Sequence, residues 1–145
     1  MRKTTAAVAS ALAAAAASAV TPALAEGFLV GRLQKAPDIE VGLGDAGYGV
    51  KQDPFTFETG KGYRMWIKAT GKKQCAFEAA DFFQHVWFRK IEINKVELKV
   101  QAVHEIEFED EGAAELFFTP IKPGEYTWQC KGLADKGMIG KIVVK

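Results

Sequence analysis

The chain has 145 residues, with 19 Lys and Arg against 18 Asp and Glu and a formal net charge of +1. No basic surplus is available to neutralise a polyphosphate, so nucleic acid is not expected as a partner. Ten Phe, three Trp and three Tyr favour a packed, β-rich core.

Residues 1–25 open on the basic Met1-Arg2-Lys3, run through an alanine-rich apolar stretch from Ala6 to Val20, and end Thr21-Pro22-Ala23-Leu24-Ala25. Ala23 and Ala25 supply the small residues of a cleavage site, which completes the layout of a secretory signal peptide cut before Glu26. The alternative is an uncleaved anchor. The run is short and alanine-rich for a span, and no stop-transfer segment follows, so no stable membrane insertion is expected after cleavage. The predicted organisation is a signal peptide over 1–25 and one domain over 26–145, in the periplasm. That domain has 120 residues, enough for one modest core. Without Arg2 and Lys3 its balance is 17 basic against 18 acidic residues, a formal charge of −1.

The segment from Glu26 to Pro54 is glycine-rich and broken by Pro37, which predicts short strands and a loose loop. Tyr63–Thr70 alternates, turns at Gly71-Lys72-Lys73 and continues as Gln74–Ala79, the pattern of a hairpin. Ala80–His85 lacks alternation and predicts one helical turn. Val86–Ile93 and Val96–Val100 flank Asn94-Lys95 as a second hairpin. His104–Asp110 alternates with Ile106 and Phe108 on one face and Glu105, Glu107 and Glu109 on the other, as a strand with one wet face does. Ala114–Pro120, a Pro123-Gly124 turn, Glu125–Cys130 and Met138–Lys145 close the domain. No run with caps reaches helical length. The expected fold is all-β: an antiparallel Greek-key β-sandwich of about seven or eight strands with at most one short helix.

In Gly124–Cys130 the period of two sets Tyr126, Trp128 and Cys130 on one face. Gly124-Glu125-Tyr126 is similar to a tyrosine corner, which pins a crossover between two sheets. Cys130 then leaves the strand pointing inward, and Met138 re-enters eight residues later near the same end. A thiolate and a thioether are soft donors suited to Cu(I). The strand-borne Cys130, the loop Lys131–Gly137, Met138 and the closing Gly140–Lys145, preceded by Lys122–Trp128, resemble the cupredoxin family. The resemblance covers residues 55–145 and includes the Tyr63–Gly71 strand and its turn into Gln74–Glu78.

This resemblance implies a Greek-key sandwich with a copper site at one end. Cupredoxins of the electron-transfer kind combine two histidines, one cysteine and a weak axial methionine. Here the loop offers Asp135 as its one strong side-chain donor, and the upstream position offers Lys72, Lys73, Gln74 or Cys75. Carried over position by position, the resemblance gives Cys75 in place of the first histidine, Cys130 itself, Asp135 in place of the second, and Met138. The same geometry would bring Cys75 and Cys130 together, and three states stay open: a disulfide, shared metal ligation, or two separate thiols. Met138 reads equally as core filler. Asp135 reads more simply as a turn residue.

His85 and His104 lie off the resembled ligand positions and read as rim histidines. Glu105, Glu107, Glu109, Asp110 and Glu111 read most simply as a solvated face. Some periplasmic iron-uptake proteins carry cupredoxin-like domains, so this run also admits a hard cation such as iron. With no GxSxG, HExxH, P-loop or CxxC, hydrolytic catalysis has little to stand on. The expected function is metal handling or electron transfer with copper at a Cys/Met-rich site, alongside a redox or metal-transport partner. The alternatives are a metal-free, disulfide-stabilised interaction module and an accessory to periplasmic iron uptake.

Overall fold

The computed structural model describes residues 31–145. The predicted signal peptide and Glu26 to Val30 lie outside the described residues. No helix among the described residues is long and apolar enough to cross a membrane.

Among the described residues twelve strands form two sheets. The larger takes β1 (Gln34–Lys35), β2 (Ile39–Leu43), β3 (Gly49–Gln52), β5 (Tyr63–Thr70), β7 (Val86–Ile93), β8 (Val96–Leu98) and β10 (Glu111–Pro120). Its order is β3-β2-β5-β10-β7-β8, with β1 also on β5. The smaller takes β4 (Thr56–Phe57), β6 (Cys75–Glu78), β9 (Glu105–Phe108), β11 (Gly124–Cys130) and β12 (Ile139–Val144), in the order β4-β12-β11-β6-β9. From β5 onward the chain crosses repeatedly between the sheets, the Greek-key connectivity of a sandwich.

Three features differ from the sequence expectation. The strands among the described residues number twelve rather than seven or eight, because the glycine-rich first segment folds into several short ones that complete sheet margins. The sheets are mixed, since β1 and β2 run parallel to β5, and β4 parallel to β12. Tyr63–Thr70 and Gln74–Ala79 also do not form a hairpin. Both sides of β5 are taken, by β2 and β10, so the Gly71–Lys73 turn carries the chain across to the smaller sheet. The Asn94-Lys95 hairpin forms as expected, with both turn residues at positive φ (47° and 66°). The expected helical turn is α1 (Ala80–Phe83), which sends Phe82 and Phe83 into the core.

Period-two burial builds the core. Tyr63, Met65, Ile67 and Ala69 face inward from β5, and Tyr126, Trp128 and Cys130 from β11. Rings from both sheets interlock: Phe57 meets Tyr63 edge-on at 4.9 Å and Phe118 at 5.4 Å, and Phe82 meets Tyr126 at 5.6 Å. The tyrosine corner is present, with the Tyr126 hydroxyl donating to the Lys122 carbonyl at 2.9 Å. Trp128 stacks on Phe77 at 5.0 Å and donates its indole N–H to Gln52 Oε1 at 2.7 Å. Its cross-strand partner is Gly140, where a Cβ would lie 2.4 Å from the indole nitrogen, so the ring fits because the side chain opposite is missing.

Candidate metal centre

Two neighbouring strands of the smaller sheet bring the sulfur residues together. β6 starts at Cys75 and β11 ends at Cys130, and their register sets Cys130 opposite Phe77. Alternation turns Cys75 and Phe77 inward on β6, and Trp128 and Cys130 inward on β11. Cys75 and Cys130 are joined by a disulfide, their Cα atoms 4.9 Å apart. Of the three states open to the pair, the structure holds the bonded one.

The loop after Cys130 is closed by its own backbone. The Leu133 N–H donates to the Cys130 carbonyl at 2.9 Å, the Met138 N–H to the Leu133 carbonyl at 3.2 Å, and the Cys130 N–H to the Met138 carbonyl at 2.9 Å. A short 3-10 turn, Ala134–Lys136, fills the interval. Cys130 and Met138 are thus fastened to each other directly, and both are wholly buried.

Asp135 is placed elsewhere. Its side chain is 70% exposed, with its carboxylate 3.7 Å from Lys136. Among the described residues no three His, Cys, Asp or Glu side chains are grouped to hold a metal. The loop residue that packs against the core is Leu133, between the two backbone bonds that bind it to Cys130 and Met138. The sequence signal for it was slight: Leu133 is the one large apolar residue in Lys131–Gly137.

Neither histidine joins the sulfur end. The His85 ring lies tilted against Tyr126 at the corner end of β11, roughly 14 Å along the strand from Cys130. Its Nδ1 lies 2.6 Å from the Asp81 carbonyl. His104 is exposed. The acidic run is engaged as a surface: Gln74 donates to Glu107 at 3.1 Å, and Lys131 pairs with Glu105 at 3.2 Å, which raises the lysine's pKa.

The sequence matches none of the protein-family models and none of the curated proteins compared with it. Solved structures are similar to the fold. The McoA multicopper oxidase of the hyperthermophile Aquifex aeolicus superposes with a TM-score of 0.61 at 15% identity, over 88% of this chain and 32% of that one. A laccase from Pediococcus acidilactici gives 0.59 at 12% identity, over 81% and 28%. A multicopper oxidase from Campylobacter jejuni, described as a metallo-oxidase, gives 0.57 at 12%, over 79% and 31%. The fold is cupredoxin-like. The chain spans about a third of the length of these proteins or less.

The donors of this cupredoxin-like domain can be tested against copper directly. Sulfurs bonded to each other carry no thiolate charge, so in the disulfide state Cys75 and Cys130 do not fit copper as cysteine ligands. Nor does any state supply the two imidazoles of an electron-transfer centre. In the dithiol state, two thiolates and a thioether would be donors of the soft kind that Cu(I) favours.

Proposed function

We propose that the protein is an exported, copper-handling domain that holds Cu(I) on Cys75, Cys130 and Met138 when its cysteine pair is reduced. The observation that supports this most is the mutual fastening of Cys130 and Met138 at the strand end where Cys75 also lies. Three sulfur residues converge at one end of a cupredoxin-like sandwich, and an all-sulfur set suits Cu(I) retention better than cycling between Cu(I) and Cu(II). Handling is therefore favoured over electron transfer. Asp135 has no place in this ligand set. Export to the periplasm rests on the layout of residues 1–25, and a metal-transport partner would meet the loop end.

The test is a Cu(I) competition titration of the mature protein, reduced with a phosphine, against a chromophoric Cu(I) chelator. The wild type is expected to hold copper in equimolar amount, Met138→Leu to hold it more weakly, and Cys130→Ser to lose it. Equal copper uptake by wild type and Cys130→Ser would overturn the reading.

A second reading has its own support in the closed, buried disulfide: a metal-free module in which the bridge is a permanent staple. Reduced wild type that takes no copper and refolds only on reoxidation would favour it. The iron alternative has less support, because Glu105 and Glu107 are engaged by Lys131 and Gln74.

A further inference from the structure

Among the described residues β8 pairs with β7 alone and ends the larger sheet, so one row of its backbone N–H and C=O groups is open. Its register sets Leu98 opposite Ile91 and Val96 opposite Ile93. Directly opposed residues share a sheet face. Ile91 is buried, so Val96 and Leu98 also point to the core side, yet they are 56% and 40% exposed. The strand overhangs the sandwich. Beneath it, Leu98, Val100, Val103 and Ile106 join Ile91 and Ile93 around an open groove of about 380 Å³.

The charge pattern says which partner fits this edge. Around Leu98 the chain reads Val96-Glu97-Leu98-Lys99-Val100. Laid antiparallel on a copy of itself, it sets Glu97 opposite Lys99 twice, Val96 opposite Val100 twice, and Leu98 opposite Leu98. Opposite charges directly across a ladder stabilise it, and like charges destabilise it. Glu97 remains ionised for such a role. Hydrogen bonds from Lys90 and Lys99, each at 2.8 Å, hold its carboxyl down at about 2.

We propose that β8 is a homodimer edge, through which two copies pair antiparallel about a two-fold axis at Leu98. Lys99 and Val100 extend the strand on pairing, and the two larger sheets become one. The apolar overhang of each copy covers that of the other, as an isologous contact requires. One strand pair with its flanking groove is smaller than a standard stable interface, so the association is reversible and weak.

Sedimentation velocity of the mature protein from micromolar to millimolar concentration tests this. The wild type should show a monomer–dimer equilibrium across that range. Leu98→Lys sets two ammonium groups across the axis and should leave a monomer throughout. Glu97→Lys or Lys99→Glu alone should weaken association about tenfold or more, by setting like charges opposite each other at two places. The double variant Glu97→Lys with Lys99→Glu restores complementarity and should recover the wild-type constant. All these positions are exposed, so each variant should fold, which circular dichroism checks. A wild type that stays monomeric overturns the proposal and makes Lys99 a guard against edge pairing. A dimer that survives Leu98→Lys, or a double variant no better than the singles, overturns it too.

Discussion

Tyr126 shows how one hydroxyl serves two sheets. Its ring lies against Phe82 in the core while its O–H holds the Lys122 carbonyl just before β11 begins. Tyr126→Phe keeps the ring and removes that bond, so it should cost about 1 kcal/mol of unfolding free energy in denaturant titration. This role was legible in the sequence, because a glycine, a turn and an inward tyrosine at that spacing leave few other conformations. The bond from Trp128 to Gln52 was not legible, since its partners are 76 residues apart and no local pattern joins them. Asp135 misled for a related reason. Its chemistry marked it as a donor, but burial decides which loop residue reaches the interior, and Leu133 turns inward at a lower desolvation cost. Glu115 is the opposite case, a carboxyl buried in mid-strand on β10. Burial pushes its pKa up, opposed by Arg64 at 3.9 Å. A raised folded-state value means that the native state binds the proton more tightly than the unfolded chain. Its stabilising contribution is therefore fully present at acid pH and is lost as pH rises through the ordinary glutamate range and past the folded value. Glu115→Gln is neutral throughout and should melt above the wild type at neutral pH. The gap should close below the ordinary glutamate range.

Strand faces were readable because a strand with one side in the core must alternate. β5 and β11 follow that rule at nearly every residue, and β9 at Glu107 and Phe108. Pairing was readable only where the turn itself encodes it, as at Asn94-Lys95. The Gly71–Lys73 turn carries no such instruction. Gly71 sits at φ 76° with the Glu111 backbone nitrogen 2.4 Å from where a Cβ would stand, so this turn is shaped by a strand 40 residues later. The disulfide acts at the same scale. It ties β6 to β11 beside a register of only two residue pairs, and it spans a sequence separation of 55. In the chain-entropy account, closing a loop of that length stabilises the fold by about 4 kcal/mol. The Cys75→Ala, Cys130→Ala double variant should lose about that much in chemical denaturation, with little change in far-ultraviolet dichroism below the transition. An unchanged midpoint would mean that the strands hold this corner without the bridge.

For the whole molecule, strand periodicity, the tyrosine corner and the Cys130–Met138 spacing carried the fold class. These are local consequences of burying one face of each strand. The oxidation state of the cysteine pair was beyond reach in the sequence, because it depends on how two distant strand ends meet. That state also divides the readings of function. The proposed sulfur-only site at that end of the sandwich would be closed by the disulfide and opened by reduction. Copper K-edge X-ray absorption of the reduced, Cu(I)-loaded mature protein tests it most directly. The expected result is a first shell of sulfur alone, from Cys75, Cys130 and Met138, with the methionine contribution missing in Met138→Leu. A first shell containing nitrogen or oxygen, or a reduced protein that retains no copper for the measurement, would contradict it.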